Sequence, residues 1–190
     1  RYLAACLTFF SHRQRDRVGL VTFDQEIVKY VPPSMKRMDT ILHVLDQAEA
    51  GRAGSLKEPA MQMAELLGRK GIVVVISDFY EDPDTVLAAI APLRGRGHDV
   101  IVFHVMDPAE LGFPFDQPSG FEDLETGEQI PVIPNRLKDD YIRLVKNHLA
   151  ELERRFTDNR IDYTLLDTSK PLDLALFQYL LAREHSSRKR

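Results

Sequence analysis

The chain has 190 residues, of which 44% are hydrophobic and 28% are charged. This length suits one domain, and the apolar content is enough for a full core, so the composition excludes a disordered chain. A net charge of −4 argues against a nucleic-acid partner, because phosphate backbones are bound by basic surfaces. The single cysteine, Cys6, excludes an internal disulfide and a cysteine-based zinc site, and we expect it to be buried on an apolar helix face.

The sequence begins with Arg1 rather than methionine, and residues 1–10 already have the apolar pattern of a helix. We therefore expect the chain to be a fragment whose first structural element precedes Arg1. The longest apolar stretch, residues 72–76, is far shorter than the about 20 residues that a membrane span needs. No signal-peptide pattern is present. We therefore expect a cytoplasmic protein with no membrane segment in this chain.

The first third of the chain predicts helices around an antiparallel hairpin. Two short strands are joined by the tight turn at Asp24 and Gln25, and Pro32 and Pro33 are expected to end the second strand. Apolar residues at helical spacing flank the hairpin on both sides. The predicted elements are helices at 2–13, 38–50 and 57–69 and strands at 18–23 and 26–31.

The rest of the chain alternates strands with helices. The unbroken β-branched run at 72–76 indicates a strand that is buried on both faces. Residues 107–132 are rich in proline and indicate an insertion, with a β-hairpin near 113–132, over the carboxyl edge of the sheet. The other predicted elements are strands at 100–105 and 162–166 and helices at 84–93, 137–156 and 172–182.

This order predicts an α/β fold with an open, mostly parallel sheet and helices on both faces. Ligands of such sheets lie beyond the carboxyl ends of the strands. Each of four predicted strands has an aspartate at this end, which makes the strand ends the candidate functional site. The four residues are Asp24, Asp78, Asp107 and Asp167.

The strand-end carboxylates have a functional and a structural interpretation. Asp78 could bind Mg²⁺ directly or through water, or could serve as an N-cap or loop brace for the turn at 81–84. Asp107 and Glu110 could form an acidic pocket with Asp123 and Glu125, or could serve as a local turn and helix cap. A divalent-metal-dependent hydrolase or transferase that uses these carboxylates is the alternative function.

Histidines and known motifs give no support to catalysis. His104 lies inside an apolar strand, so we expect a hydrogen-bonded core residue, whereas His98 lies in a glycine-rich turn and is expected to be exposed. No two histidines have metal-ligand spacing, and the sequence lacks the nucleophile elbow, the zinc-protease motif and the phosphate-binding and dinucleotide-binding loops. We therefore expect a protein that is not an enzyme.

Four segments together resemble one family. They are R-D-R-V-G-L-V-T-F at 15–23, I-S-D at 76–78, H-V-M-D-P-A-E-L at 104–111 and F-E-D-L-E-T-G at 121–127. These segments resemble the DUF58 family, which comprises bacterial and archaeal proteins with a von Willebrand factor A-like domain. The resemblance implies one such domain over residues 1–190 and a Rossmann-like sheet ordered 3-2-1-4-5-6.

The resemblance also implies a degenerate metal-ion-dependent adhesion site. The central first strand of the family carries D-x-S-x-S and would precede Arg1, so its absence is expected to leave a gap between the strands at 18–23 and 72–76. Asp78 matches the aspartate after the fourth strand, and Ser55 stands near the position of the expected threonine. Mg²⁺ would be the cofactor if the upstream motif exists.

In function, the resemblance implies a non-enzymatic protein-interaction module. The genes of the family typically accompany those of MoxR-type AAA+ ATPases, so the expected partner is such an ATPase. The expected role is in the assembly or maturation of other proteins.

Overall fold

A computed structural model describes residues 1–49, 55–117, 119–122, 129–173 and 176–177. The chain divides into two compact units, Arg1–Lys70 with Ala88–Arg96 and Gly71–Leu87 with Gly97–Arg190. The single domain over 1–190 stays a prediction. In chain order the elements are α1 (Tyr2–Arg13), β1 (Val18–Phe23), β2 (Ile27–Ser34), α2 (Met38–Asp46), α3 (Lys57–Leu66), β3 (Ile72–Ser77), α4 (Pro83–Gly95), β4 (Asp99–Met106), α5 (Pro108–Gly112), β5 (Ser119–Glu122), β6 (Gln129–Val132), α6 (Pro134–Asp158) and β7 (Asp162–Asp167).

The first unit is organised around the predicted hairpin, which the structure confirms. β1 and β2 pair antiparallel, and the Glu26 N–H donates to Asp24 Oδ1 at 3.1 Å to close the turn. Val31 of β2 is buried against Ile41 and Leu45 of α2, which lie one helical turn apart. This apolar contact fixes α2 against the hairpin.

β2 runs through Pro32 and Pro33 to Ser34, so the prediction that the prolines end the strand is wrong. Both prolines are exposed on a two-stranded sheet, and the register shifts between Val18 and Leu20 of β1. Strand edges and bulges tolerate proline, because no ladder N–H is required there.

Three further expectations about the first unit are wrong. α2 ends at Asp46 rather than at 50, since no large apolar residue after Leu45 can pack another turn. α3 ends at Leu66 rather than at 69, and Gly68, a poor helix former, follows. Cys6 is exposed because Leu3 and Thr8 form the buried face of α1.

Gly19 in β1 leaves space for the backbone of β2. A Cβ atom on Gly19 would lie 2.8 Å from the Val31 carbonyl oxygen, so the strands would have to shift. We expect Gly19→Ala to lower the free energy of unfolding by about 1–3 kcal/mol in urea titrations. Gly68→Ala is the control, since no atom lies within 4 Å of its added Cβ. Equal stability of the two variants would contradict this account.

The second unit contains a parallel sheet in the order β3-β4-β7. The predicted α/β fold class is therefore confirmed. β5 and β6 pair antiparallel, with Ser119 opposite Val132, which confirms the predicted hairpin insertion. The hairpin turn at 123–128 lies outside the described residues. Of the predicted helix at 172–182, residues 172–173 and 176–177 are described and are helical.

β3 is buried on one face, so the prediction of burial on both faces is wrong. Val73 and Val75 are buried, whereas Ile72 is 59% and Val74 is 37% exposed. β3 also lies at the edge of its sheet, with β4 as its one neighbour among the described strands. The face that carries Ile72 and Val74 remains open to solvent. The strand that the family resemblance implies before Arg1 stays a prediction.

α6 provides the main packing of the second unit. Leu152 and Phe156 are fully buried, and the Phe156 ring stacks on Tyr163 of β7 with 5.6 Å between centroids. Arg155 pairs with Glu151 on the same helix and with Asp84 at the start of α4. No helix within the described ranges is long and apolar enough to span a bilayer.

Candidate functional site

The carboxyl ends of β3, β4 and β7 meet at one edge of the second unit, because the three strands are parallel. Two of these ends are joined directly after the strands finish. The Thr168 N–H donates to the Met106 carbonyl at 3.0 Å, and Thr168 Oγ1 donates to Asp107 Oδ2 at 3.3 Å. The predicted gathering of Asp78, Asp107 and Asp167 at one sheet edge therefore follows from the topology. Asp24 belongs to the first unit.

Asp107 and Glu110 form a capping box at the start of α5. Asp107 Oδ1 accepts from the Ala109 N–H at 2.8 Å, and Glu110 Oε2 accepts from the Asp107 N–H at 3.0 Å. Pro108 at the first helical position suits this arrangement, because it has no N–H to satisfy. The structural interpretation of the two carboxylates is confirmed. Asp107 remains exposed and Glu110 half-buried, so both also lie at the surface.

Asp78 does not cap α4, so the N-cap interpretation is wrong, whereas a loop-bracing role stays a prediction. The cap is Asp82, whose Oδ1 accepts from the Asp84 N–H at 2.8 Å, directly before Pro83 begins the helix. Asp78 itself is exposed, and its Oδ1 accepts from the Ser77 hydroxyl at 3.3 Å. Its Oδ2 accepts no hydrogen bond from the described residues and can accept one from a ligand.

Asp167 is engaged locally at the end of β7. Its Oδ1 accepts from the Ser169 N–H at 2.9 Å and from the Ser169 hydroxyl at 2.6 Å. Lys170 lies 3.8 Å from its other oxygen. The Ser169 hydrogen bonds first, and then the Lys170 charge, lower the pKa of Asp167.

A left-handed turn at Phe79 separates two aromatic side chains after β3. Phe79 has φ 48° and is buried, whereas the next residue, Tyr80, is 63% exposed. Positive φ is unfavourable for a bulky residue and occurs where the surroundings hold it in place. His148 of α6 donates through Nε2 to the Phe79 carbonyl at 2.9 Å and so holds this turn. The turn presents Asp78 and Tyr80 outward.

Glu110 links two tyrosines at this edge. The Glu110 carboxylate lies beside the Tyr80 hydroxyl, and its negative charge also acts on the hydroxyl of Tyr141 in α6. Partial burial of each hydroxyl, followed by the effect of Glu110, raises the pKa of both tyrosines. Both hydroxyls are therefore neutral at physiological pH.

Phenylalanines from the insertion extend the aromatic surface. The Phe113 ring lies 4.7 Å from that of Tyr141 and 5.2 Å from that of Phe115 between centroids. Phe115 in turn meets Phe121 of β5 edge to face at 5.0 Å. Phe113 is buried and Phe115 is 36% exposed, so the cluster has an inner and an outer part.

A buried polar cluster lies under the strand ends. His104 of β4 is fully buried, and its Nδ1 is 2.9 Å from the Tyr163 hydroxyl, which confirms the predicted core histidine. In the described part of the chain, Nε2 makes no hydrogen bond of normal geometry. Burial and the nearby His148 lower the pKa of His104 to about 4, although the Asp78 backbone and the Glu110 charge partly oppose this.

His98 is also buried, so the prediction of an exposed turn residue is wrong. Its Nδ1 accepts from the Gly71 N–H at 3.3 Å, which joins the start of β4 to that of β3. A polar side chain at the beginning of a strand can thus be enclosed when it completes the hydrogen bonding of the neighbouring strand.

The described residues do not form a metal centre. Ser55 belongs to the first unit, where its N–H donates to the Asp24 carbonyl at 3.1 Å and where it lines a polar hollow of about 400 Å³ with Glu26 and Glu58. Nowhere in the described ranges do three His, Cys, Asp or Glu side chains come together as metal ligands. Mg²⁺ binding through Asp78 and Ser55 stays a prediction.

Two residues of this edge, Tyr80 and His148, are not among those predicted from the sequence. Tyr80 stands two residues after a candidate aspartate, and three phenylalanines in the insertion form a visible aromatic run, so these signals were present in the sequence. Asp123 and Glu125, predicted to complete an acidic pocket, lie outside the described residues.

The fold is similar to that of two solved structures. One is the conserved hypothetical protein BatB from Bacteroides thetaiotaomicron, with a TM-score of 0.61, 14% identity and coverage of 98% of this chain and 86% of that chain. The other is an aerotolerance-related membrane protein from Bacteroides fragilis NCTC 9343, with a TM-score of 0.58, 17% identity and coverage of 95% of this chain and 88% of that chain. At these identities the likeness concerns the fold alone.

A comparison with curated proteins found no match. The family model for the protein of unknown function DUF58 matches residues 1–151, which include the hairpin of the first unit and most of the strand-end site. The chain therefore belongs to the DUF58 family.

Proposed function

We propose that this chain is a non-enzymatic protein-interaction module that works with a MoxR-type AAA+ ATPase in the assembly or maturation of other proteins. Family membership and the similarity of the fold to BatB support the module. The ATPase partner and the von Willebrand factor A-like character are what the resemblance to the DUF58 family implies, and the motifs at 15–23 and 104–111 carry that resemblance.

The observation that carries the proposal is a surface at the strand ends that is both acidic and aromatic. We call it the acidic–aromatic surface and define it by Asp78, Tyr80, Asp107, Glu110 and Phe115. Tyr80 is exposed there close to carboxylates that are held in place by local hydrogen bonds. The exposed Phe115 is connected to them through Phe113 and Tyr141. Exposed large aromatic side chains with a polar rim are typical of protein-binding surfaces.

We place the module in the cytoplasm, where an ATP-driven partner has access to its nucleotide. A partner engaged by the strand ends would leave the buried cluster around His104 undisturbed. The role of that cluster is then to support the turn that presents Asp78 and Tyr80.

The proposal is tested by affinity capture of the MoxR-type ATPase from the same genome with the purified chain as bait. We expect retention of the ATPase, and weaker retention by the double variant Asp78→Asn/Tyr80→Ala. Tyr2→Ala, which removes an even more exposed tyrosine from α1, is the control and should retain the ATPase fully. Absence of retention both with and without Mg²⁺ would refute the ATPase partnership.

A further inference from the structure

We infer that the acidic–aromatic surface binds a basic segment of its protein partner, with an arginine or lysine side chain stacked on Tyr80 and paired with Asp78 and Glu110. This inference rests on the proposed function and names the chemistry of the partner at that site.

The aromatic ring and the carboxylates converge on one place. The Glu110 carboxylate lies beside the Tyr80 hydroxyl, and the Asp78 charge acts on the same hydroxyl, so that both raise its pKa. Because 63% of Tyr80 is exposed and the exposed Asp78 precedes it by two residues, its ring has an accessible face close to negative charge. A cation over such a face is attracted by the ring and by the carboxylates together.

The charge at this surface is not neutralised by the described part of the chain. There, the ion pairs of arginine and lysine involve Asp84, Asp140, Glu151, Asp158 and Asp167, and none of them involves Asp78, Asp107 or Glu110. Three carboxylates beside exposed aromatic rings are thus complementary to a positively charged partner. Anionic partners such as nucleic acid or acidic lipid would be repelled.

The aromatic cluster provides the apolar part of the contact. Phe115 is 36% exposed and packs on Phe121, so it stands on a fixed base at the outer end of the surface. Arginine and lysine carry an apolar stem below their charge, and such a stem can cover exposed aromatic carbon while the charge reaches a carboxylate. A basic segment therefore satisfies both halves of the surface.

The inference is tested with a fluorescein-labelled hexa-arginine peptide, whose binding to the whole chain is measured by fluorescence anisotropy at low and at physiological salt. We expect saturable binding that weakens with salt. Tyr80→Ala should weaken it about fivefold, because the cation–π contact is lost. Glu110→Gln, which preserves the capping box, and Asp78→Asn should each weaken it about twofold to fivefold.

Two conservative variants separate recognition from folding and from net charge. Tyr80→Phe retains the ring and should bind within about twofold of the original chain. Asp16→Asn removes an exposed carboxylate of the first unit and should leave the affinity unchanged. If Asp16→Asn and Asp78→Asn weaken peptide binding equally, the binding depends only on the net charge of the chain, and the inference is overturned. Absence of peptide binding would overturn it as well.

The result of the hexa-arginine binding experiment is independent of the result of the ATPase capture experiment. If the ATPase is captured but hexa-arginine does not bind, the partner is not recognised through a basic segment and the proposed function stands. If hexa-arginine binds at Tyr80 but the ATPase is not captured, the surface has the inferred chemistry and the ATPase is the wrong partner.

Discussion

Replacing Phe156 with alanine is expected to lower the free energy of unfolding of the second unit by about 3–5 kcal/mol. Phe156 is fully buried in α6, stacks on Tyr163 at 5.6 Å and meets Phe79 edge to face at 6.1 Å. Alanine would remove these contacts and leave a cavity that the sheet cannot close without moving β7. The measurement is urea unfolding followed by circular dichroism.

Leu144→Ala on the same helix is the matched control. Leu144 is 62% exposed, so its truncation is expected to change the free energy of unfolding by less than about 0.5 kcal/mol. Both substitutions introduce alanine into the same helix, where helix propensity contributes at most about 0.7 kcal/mol per residue, too little to explain a difference of about 3 kcal/mol. A loss for Phe156→Ala no larger than that for Leu144→Ala would show that α6 does not carry the core of the second unit.

Strands with unbroken apolar runs were predictable from the sequence almost to the residue. Ile72–Ser77 and Asp99–Met106 each extend the predicted strand by one residue at one or both ends, because β-branched residues at consecutive positions have few alternatives to extended structure. What the run could not predict was the exposed face of β3. That exposure depends on which elements pack against the strand, and no local pattern records it.

Helix ends were less predictable than strand centres. The apolar spacing that begins α2 at Met38 continues to Ala48 in the sequence, but a helix persists only while its residues find partners. Similarly, Pro32 and Pro33 predict the end of a strand because proline has no N–H to donate, yet both lie within β2 in the structure. They are tolerated there because an edge position requires no N–H donor.

The part of the site whose residues interact with close neighbours in sequence was predictable. Asp107 and Glu110 occur three residues apart around Pro108, and this spacing is that of the capping box that the structure shows. Tyr80 was not predictable in the same way. Its exposure depends on the left-handed Phe79, and that conformation depends on His148, which is distant in sequence.

Acidification is expected to destabilise the second unit through His104. Its pKa in the folded chain is about 4, below the ordinary value of 6.5. Between pH 4 and pH 6.5, His104 is therefore mostly protonated in the unfolded chain and mostly neutral in the folded chain. Stability from this group is therefore complete above pH 6.5 and is lost as pH falls toward 4. Between pH 7 and pH 5 the free energy of unfolding should fall by about 2 kcal/mol.

The reason for the low pKa is structural, which gives the prediction a clear control. A proton on His104 would place a charge among Tyr163, Phe79 and His148, where the ring is fully buried. His104→Gln keeps a neutral hydrogen-bonding side chain and should remove the slope of stability against pH between 7 and 5, whatever its effect at pH 7. His43→Gln, at an exposed position of α2, should retain the slope. An unchanged slope in His104→Gln would assign the acid sensitivity to other groups and leave His104 as an apolar packing residue.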